Sequence, residues 1–452
     1  MNMKNKLFEA WKLRFEQPDW TSDPQFALID TILEMNPQLI EMAAPEITAG
    51  NKESEFGRGD SPSVEQIVRI AIYKEMKGCD YRELAYAQKD SRICEQFAKI
   101  NPANPYSFQV LQKYISRISE GTLSKLMVEI NKIAIEEEIE DVTKFREDST
   151  VVETNIHYPT NNTIMFDCIK ESNRILKQFK KGIGGLKYKN YRKEGKKRCF
   201  KIDVTKKEKE RKELFIEQLE LFTKCINQVT KIIEMELEGL GNIKVISLIM
   251  ALKELLPVMK QVHKMTYDRE ILGKQVPNNE KIFSIYEQHT DIIVKGQRES
   301  KFGHKVDIGT GSSNLILTCS ILRGNPNDGE YFKNTIDTVK SVYGKVPESV
   351  VTDGGYASLK NRNHAVKEGV KNVVFNKITK SMKNIVESPF VETALKQWRS
   401  GIEAVISNLK RGYKLVRCTW KGWDHFQRKV YWSIIAYNIR VMTGHMLAKM
   451  IV

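Results

Sequence analysis

A single β-rich run, "VTKFREDSTVVETNI" at 142–156, stands apart from every other strand-like segment of the chain. It is partly alternating and rich in Val and Thr, so it reads as a strand. About 120 residues of helical pattern follow before strands return near 281. Any fold for this chain must therefore carry a large helical insertion directly after its first strand.

The second half supplies the rest of the sheet. "DIIVKG", "KFGHKVDIGTG" and "NLILTCSIL" read as a β-meander with a Gly-Ser turn at 309–313. Helix and strand then alternate: "GEYFKNTIDTVKSVYG" as helix, "ESVVT" as strand, "SLKNRNHAVKEG" as helix and "KNVVFN" as strand. "SPFVETALKQWRSGIEAVISNLKRGY" and "WDHFQRKVYWSIIAYNIRVMTGHMLAKM" read as two long closing helices. With the insertion removed, this is an antiparallel meander followed by βα units. That is the element order of an α/β ribonuclease-H-like fold, a mixed sheet with helices on both faces.

Residues 1–140 read as a separate all-helical domain. "SPSVEQIVRIAIYKEMKG" opens with Ser63 and has Gln66 three residues on, a capping-box pattern, and it stops at Gly78. "DYRELAYAQKDSRICEQFAKI" gives two short helices broken near Lys89 and Asp90, which suits either a helix-turn-helix or a plain bundle. The expected division is 1–140, a catalytic core from 141–160 and 281–452, and a basic helical insertion at 161–280.

Charge narrows the partner. The formal net charge is +15. Between Lys170 and Glu213 there are 18 Lys and Arg against 6 Asp and Glu, so most of the excess is local. A localised basic segment suits a polyanion such as DNA. Within it "KGIGGLKYKNYRKEGKKRCF" reads as a loop that interrupts the helices. Lys187, Lys189, Arg192, Lys196, Lys197 and Arg198 are its candidate DNA contacts, with Tyr188, Tyr191 and Phe200 interleaved for stacking. The seven cysteines form no Cys-x-x-Cys pair, so neither a zinc ribbon nor a disulfide framework is indicated. No run of about 18 apolar residues appears. The N-terminal "MNMKNKLFEAWKLRFEQPDW" lacks the apolar core of a signal peptide. A cytoplasmic protein, at the nucleoid when DNA-bound, is expected.

Three carboxylates fall where chemistry needs them. Mg²⁺ prefers oxygen ligands. Two such ions about 4 Å apart can clamp an in-line phosphoryl transfer. Asp148 lies on the isolated strand, beside the equally acidic Glu147. Asp353 ends the strand "ESVVT", and Gly354 and Gly355 after it leave room for a sharp turn and for a phosphate. Glu403 borders the apolar stripe of Ile402, Val405, Ile406 and Leu409. Arg399 lies four residues before it and Lys410 seven after, all near one side of a helix. Those two cations either steady the acid or hold DNA phosphates. Asn155, His157 and Tyr356 are candidates to line the site.

Three blocks then carry a resemblance. "REDSTVVETNIHYPTNN", "VTDGGYASLKNRN" and "RSGIEAVISNLKRGYKLVRCTWKGWDHF…IAYNIR" resemble the catalytic blocks of DDE transposases of bacterial insertion sequences. The likeness spans roughly 142–440. The Arg-x3-Glu-x6-Lys arrangement of those relatives is present as Arg399, Glu403 and Lys410. The Tyr that some carry three residues before that Arg is replaced by Lys396. The insertion also sits after the first strand, unlike that of some better-known relatives. The resemblance implies that Asp148 bridges two Mg²⁺ ions, with Mn²⁺ as a substitute, while Asp353 and Glu403 each complete one site. It implies binding of terminal inverted repeats, strand cleavage by water, and joining of the freed 3′-hydroxyl to target DNA by at least a dimer. An inactive or repurposed DNA-binding protein, and a nuclease of this fold without strand transfer, are the alternatives.

Overall fold

The structure is a computed structural model that describes residues 23–49, 61–183, 186–235, 243–294, 299–378 and 382–451. The N-terminal stretch read above as lacking a signal peptide lies outside them. The described chain forms two compact units, residues 1–153 with 304–452, and residues 154–303.

In the first unit, helices come first: α1 (Pro24–Met35), α2 (Gln38–Glu41), α3 (Ala44–Thr48), α4 (Val64–Lys77), α5 (Tyr81–Asp90), α6 (Arg92–Ala98), α7 (Phe108–Ile115) and α8 (Glu120–Glu136). The capping box predicted at Ser63 and Gln66 is present, and α4 ends on Gly78 in the left-handed conformation. A second box, Asp80 with Glu83, opens α5. Ser91 closes α5 and its hydroxyl accepts from Cys94 to open α6, so one residue makes the turn between them.

Strand β1 (Lys144–Thr154) leads from these helices into the sheet. The second unit follows with α9 (Asn161–Ile183), α10 (Arg192–Val204), α11 (Glu208–Glu234), α12 (Ile243–Thr266) and β2 (Asp291–Ile293). Its helices bury their own apolar cluster, including Phe179, Phe215 and Phe222. Helix α10 takes up the second half of the segment read as a loop. Tyr191, at its N-terminus, is 8% exposed and belongs to this cluster, so it is not a free stacking ring.

The remaining elements are β3 (Lys301–Thr310), β4 (Ile316–Leu322), α13 (Phe332–Tyr343), β5 (Ser349–Thr352), α14 (Leu359–Glu368), β6 (Asn372–Phe375), α15 (Pro389–Arg399), α16 (Gly401–Gly412), β7 (Arg417–Cys418) and α17 (Trp423–Ile451). The sheet runs β2-β3-β1-β5-β6, with β4 paired to β3 and β7 to β1. The β3–β4 pair is antiparallel, and β5 is parallel to both β1 and β6. It is thus a mixed sheet, with β1 at its centre despite the long insertion.

Alternation along the strands gives each face its own cover. Val351 and Val374 pack under Leu395 of α15. On the other face Phe332 of α13 packs against Phe375 of β6, with ring centroids 5.7 Å apart. Val350 and Val373 join the main cluster, which also contains the N-terminal helices and α17. A buried amide network locks that junction: Asn438 of α17 donates to Asn131 of α8 at 2.9 Å and to the Ile316 carbonyl at 2.8 Å. It also accepts from the Ile316 amide at 3.0 Å.

Candidate active site

Strand register brings the first two carboxylates together. Glu147 of β1 pairs with Thr352 of β5 in parallel. One step further along both strands stand Asp148 and Asp353, on backbones about 4.8 Å apart. Asp353 then caps a one-turn 3₁₀ helix, Gly354–Tyr356, accepting from the Gly355 amide at 2.8 Å.

The pleat separates the two acids that the sequence leaves equivalent. Asp148 is 19% exposed and points toward α15, where Arg399 Nη1 lies 3.5 Å from its Oδ2. Glu147 points to the opposite face and is wholly buried. The Thr335 hydroxyl donates to its Oε1 at 2.7 Å. Burial and the neighbouring Asp307 push the Glu147 carboxyl well above the usual carboxylate range. Burial likewise pushes Asp307 up to about 6. The Glu147 carboxyl is therefore held toward its protonated form. For both acids the folded state holds protons more tightly than the unfolded chain. Their effect is to lower stability as pH rises above the ordinary carboxylate range of about 4. Glu147→Gln keeps the shape and removes that titration. Its stability relative to wild type is expected to improve between pH 5 and pH 8, read by urea denaturation at each pH. A gap that stays constant with pH excludes the protonated carboxyl.

Glu403 sits in the first turn of α16 and is 68% exposed. Arg399 Nη2 lies 3.4 Å from its Oε1. One guanidinium, itself only 12% exposed, thus stands between Asp148 and Glu403. Both contacts are long for charge-assisted hydrogen bonds, which run nearer 2.8 Å. Lys410 is half-buried two turns further along α16. Lys396, where some relatives carry Tyr, pairs with Glu392 at 2.6 Å.

The continuous apolar pattern from 388 to 413 predicts one long helix. The structure breaks it at Ser400, and the cause lies on β1. Arg146 is two residues before Asp148 and on the same face. Its guanidinium donates to the Trp398 carbonyl and Asn314 Oδ1, and to Thr310 Oγ1 at 2.9 Å. It lies 4.4 Å from the Trp398 ring centroid. A Cβ on Gly401 would fall 2.3 Å from Arg146 Nη1, so a larger residue there must displace that guanidinium. Burial lowers the Arg146 pKa to about 10. Its spacing from Asp148 was the only sequence signal for this residue.

The two glycines after Asp353 have a different reason from the one the sequence suggested. Neither has a positive φ. A Cβ on Gly354 would come 2.9 Å from the carbonyl oxygens of Asn376 and Lys377. One on Gly355 would meet Asp353 Oδ1 at 3.0 Å and Asp328 Oδ2 at 3.2 Å. The space is taken by the protein's own backbone and carboxylates, not kept open for a phosphate. Asp328 is thus a fourth carboxylate at this turn. Its Oδ1 accepts from Ser149 and Lys305, each at 2.9 Å. Tyr356 is wholly buried, and its hydroxyl donates to Asp307. It pins the turn from beneath.

The other candidates belong to the second unit. His157 is half-exposed, 3.5 Å from Asp167, and Asn155 is exposed. Lys187, Lys189, Arg192, Lys196 and Lys197 are all exposed. Arg198 is engaged, with Glu194 at 2.8 Å and the Glu217 carbonyl.

Asp148 and Glu403 turn oxygen donors onto one guanidinium, and oxygen donors of this kind also suit a hard cation. Another cluster, Asp337, His364 and Glu368 on α13 and α14, also gathers potential ligands. There the His364 ring is on Asp337 at 2.7 Å and Lys340 is on Glu368 at 2.7 Å. Its surface cations already satisfy it, and its imidazole is a poor ligand for Mg²⁺.

No curated protein and no solved structure matches the chain. Residues 285–439 match the family model of the transposase DDE domain. That segment includes Asp353 and Glu403, while Asp148, on β1, lies outside it. This part of the chain is thus similar to the transposase DDE domain.

Proposed function

We propose that this protein is the transposase of an insertion sequence, binding terminal inverted repeats and cutting and joining DNA strands with Asp148, Asp353 and Glu403. What supports the reading is the parallel register of Glu147 with Thr352, each one residue before a carboxylate of the trio, and Arg399 within 3.5 Å of both Asp148 and Glu403. The mixed sheet is then a ribonuclease-H-like core, the N-terminal helices contribute DNA binding, and the basic helices of the second unit add contacts through Lys187, Lys189, Arg192, Lys196 and Lys197.

Two Mg²⁺ ions held by the three carboxylates would supply Lewis-acid stabilisation of the charge that builds on the phosphoryl oxygens. The chain's own residues supply position. Asp148 is fixed on β1, Asp353 at the end of β5, and Glu403 by α16, whose start abuts Arg146 of β1 at Gly401. Arg399 balances the carboxylates' charge and, with Lys410, offers donors to DNA phosphates. The oxygen of a water bonds to the scissile phosphorus at the element's end while the P–O3′ bond breaks, and the departing 3′-oxygen takes up a proton, leaving a 3′-hydroxyl and a 5′-phosphate. That hydroxyl then displaces a 3′-oxygen in target DNA. Two ends must meet, so the working form is at least a dimer on DNA. Among the described residues no helix is long and apolar enough to cross a membrane. Action in the cytoplasm, at the nucleoid, fits these DNA substrates.

The test is incubation of the purified protein with Mg²⁺ or Mn²⁺ and DNA bearing the repeats that flank its gene. Cleavage with joining is expected. Cleavage without joining indicates a nuclease, and binding without cleavage a repurposed DNA-binding protein.

A further inference from the structure

A basic cleft lies apart from the carboxylates. It has a volume of ≈ 770 Å³ and opens between the α4–α5 turn and the segment from Tyr413 to Lys429, all in the first unit. Its floor is unusual. Lys74 and Lys429 are both buried, and both ammonium groups bind one buried carboxylate, Glu75. The two cations hold Glu75 down at about 2. The floor therefore carries one positive charge more than it carries negative. A buried charge without a counter-charge is costly, and an anion entering the cleft relieves that cost.

The wall repeats the sign. Lys414, Arg417 and Lys421 line the cleft and are exposed. Lys414 is tethered to the Gly78 carbonyl at 2.7 Å. Arg417 has an exposed pair with Glu153 at 3.0 Å, of the kind worth about 1 kcal/mol or less and easily exchanged. The one exposed acid of the lining, Asp80, is occupied by the Arg82 and Glu83 amides at 2.7 and 2.8 Å. The wall follows directly from α16. That helix carries Glu403 in its first turn and ends at Gly412, so it spans about 18 Å at 1.5 Å per residue.

We propose that this cleft is a second DNA contact, which takes the phosphate backbone of the bound DNA away from the carboxylates. The assignment rests on the transposase reading for its substrate and on the cleft alone for its place. Lys74 and Lys429 set the potential of the floor, and Lys414, Arg417 and Lys421 meet the phosphates.

Binding of a fluorescein-labelled DNA duplex to the full chain, followed by anisotropy between about 50 and 200 mM salt, tests this. Lys421→Glu and Arg417→Glu are both surface changes. Each is expected to weaken binding about tenfold at low salt and to reduce the slope of log affinity against log salt by about one. Lys340→Glu, an exposed charge reversal on α13, is expected to leave the slope unchanged. Unchanged slopes in both cleft variants overturn the proposal. An equal loss in Lys340→Glu also overturns it, since net charge alone then explains binding. Pyrophosphate is the second arm. Displacement of the duplex by micromolar pyrophosphate, lost in Lys421→Glu, marks a small-anion pocket instead and overturns the assignment to DNA. If Asp353→Ala leaves cleavage intact while the cleft variants still flatten the slope, the catalytic reading fails and the cleft remains a DNA site.

Discussion

Asp353→Ala is expected to lower DNA cleavage and joining by on the order of 10³-fold or more while leaving duplex affinity within about threefold. The asymmetry follows from where the side chain is. Asp353 lies just past the tip of β5, and its side chain makes the local cap on the Gly355 amide. Losing that cap costs about 1 kcal/mol of stability, a small loss for a chain with cores this large. Losing a ligand of a phosphoryl-transfer site removes several kcal/mol from the transition state. Asp148→Asn is expected to behave alike. Glu147→Gln, one residue away, is expected to retain cleavage, because its carboxyl lies beneath the sheet on Thr335 and Asp307. The comparison is made in single-turnover cleavage with Mn²⁺, with anisotropy on the same duplex and thermal unfolding as controls. Loss of cleavage in Glu147→Gln together with retention in Asp148→Asn reverses the assignment of the two acids.

Much of this arrangement is legible in the chain because its elements are marked locally. The capping residue Ser63, the stop at Gly78 and the apolar run before Asp353 each declare a boundary through their own neighbours. The same holds for Glu403 beside the stripe of Ile402, Val405 and Leu409, which are all buried. What the sequence hides is set by distant partners. Nothing local says that Gly354 faces the carbonyls of Asn376 and Lys377, or that Gly355 abuts Asp328. Nor does spacing show that Tyr191 turns inward, where Asn173 accepts its amide hydrogen at 3.2 Å. A basic, tyrosine-containing segment looks like a loop by composition. Here its second half becomes α10 because Cys199 and Ile202 can be buried within the second unit. The N-terminal helices look like a separate domain in the sequence, since their periodicity is complete by itself. Their packing is not, as the Asn131–Asn438 contact and the shared cluster with α17 show.

The break between α15 and α16 is the clearest case of a remote cause, and it yields the second large effect. Arg146→Lys is expected to destabilise the protein by about 3 kcal/mol and to lower cleavage more than the loss of folded protein explains. Arg146 is fully buried and its planar fork serves three acceptors on two separate segments: Thr310 and Asn314 of the β3–β4 hairpin and the Trp398 carbonyl of α15. Lysine keeps the charge, but a single ammonium on a flexible stem cannot span that fork or stack on Trp398. The orphaned Trp398 carbonyl lies next to Arg399, and the guanidinium occupies the space that Gly401 leaves open. A shift there turns the start of α16, and with it Glu403, away from Asp148. Reacting groups misplaced by about 1 Å lose on the order of 10²-fold in rate. Duplex affinity reports on the DNA-contacting surface and is expected to hold. The diagnostic is metal dependence: the Mn²⁺ concentration for half-maximal cleavage rises in Arg146→Lys, because the carboxylates no longer converge. Gly401→Ala, which intrudes on the same guanidinium from the helix side, is expected to reproduce the change. A fall in stability with an unaltered Mn²⁺ requirement in both variants would assign Arg146 to packing alone.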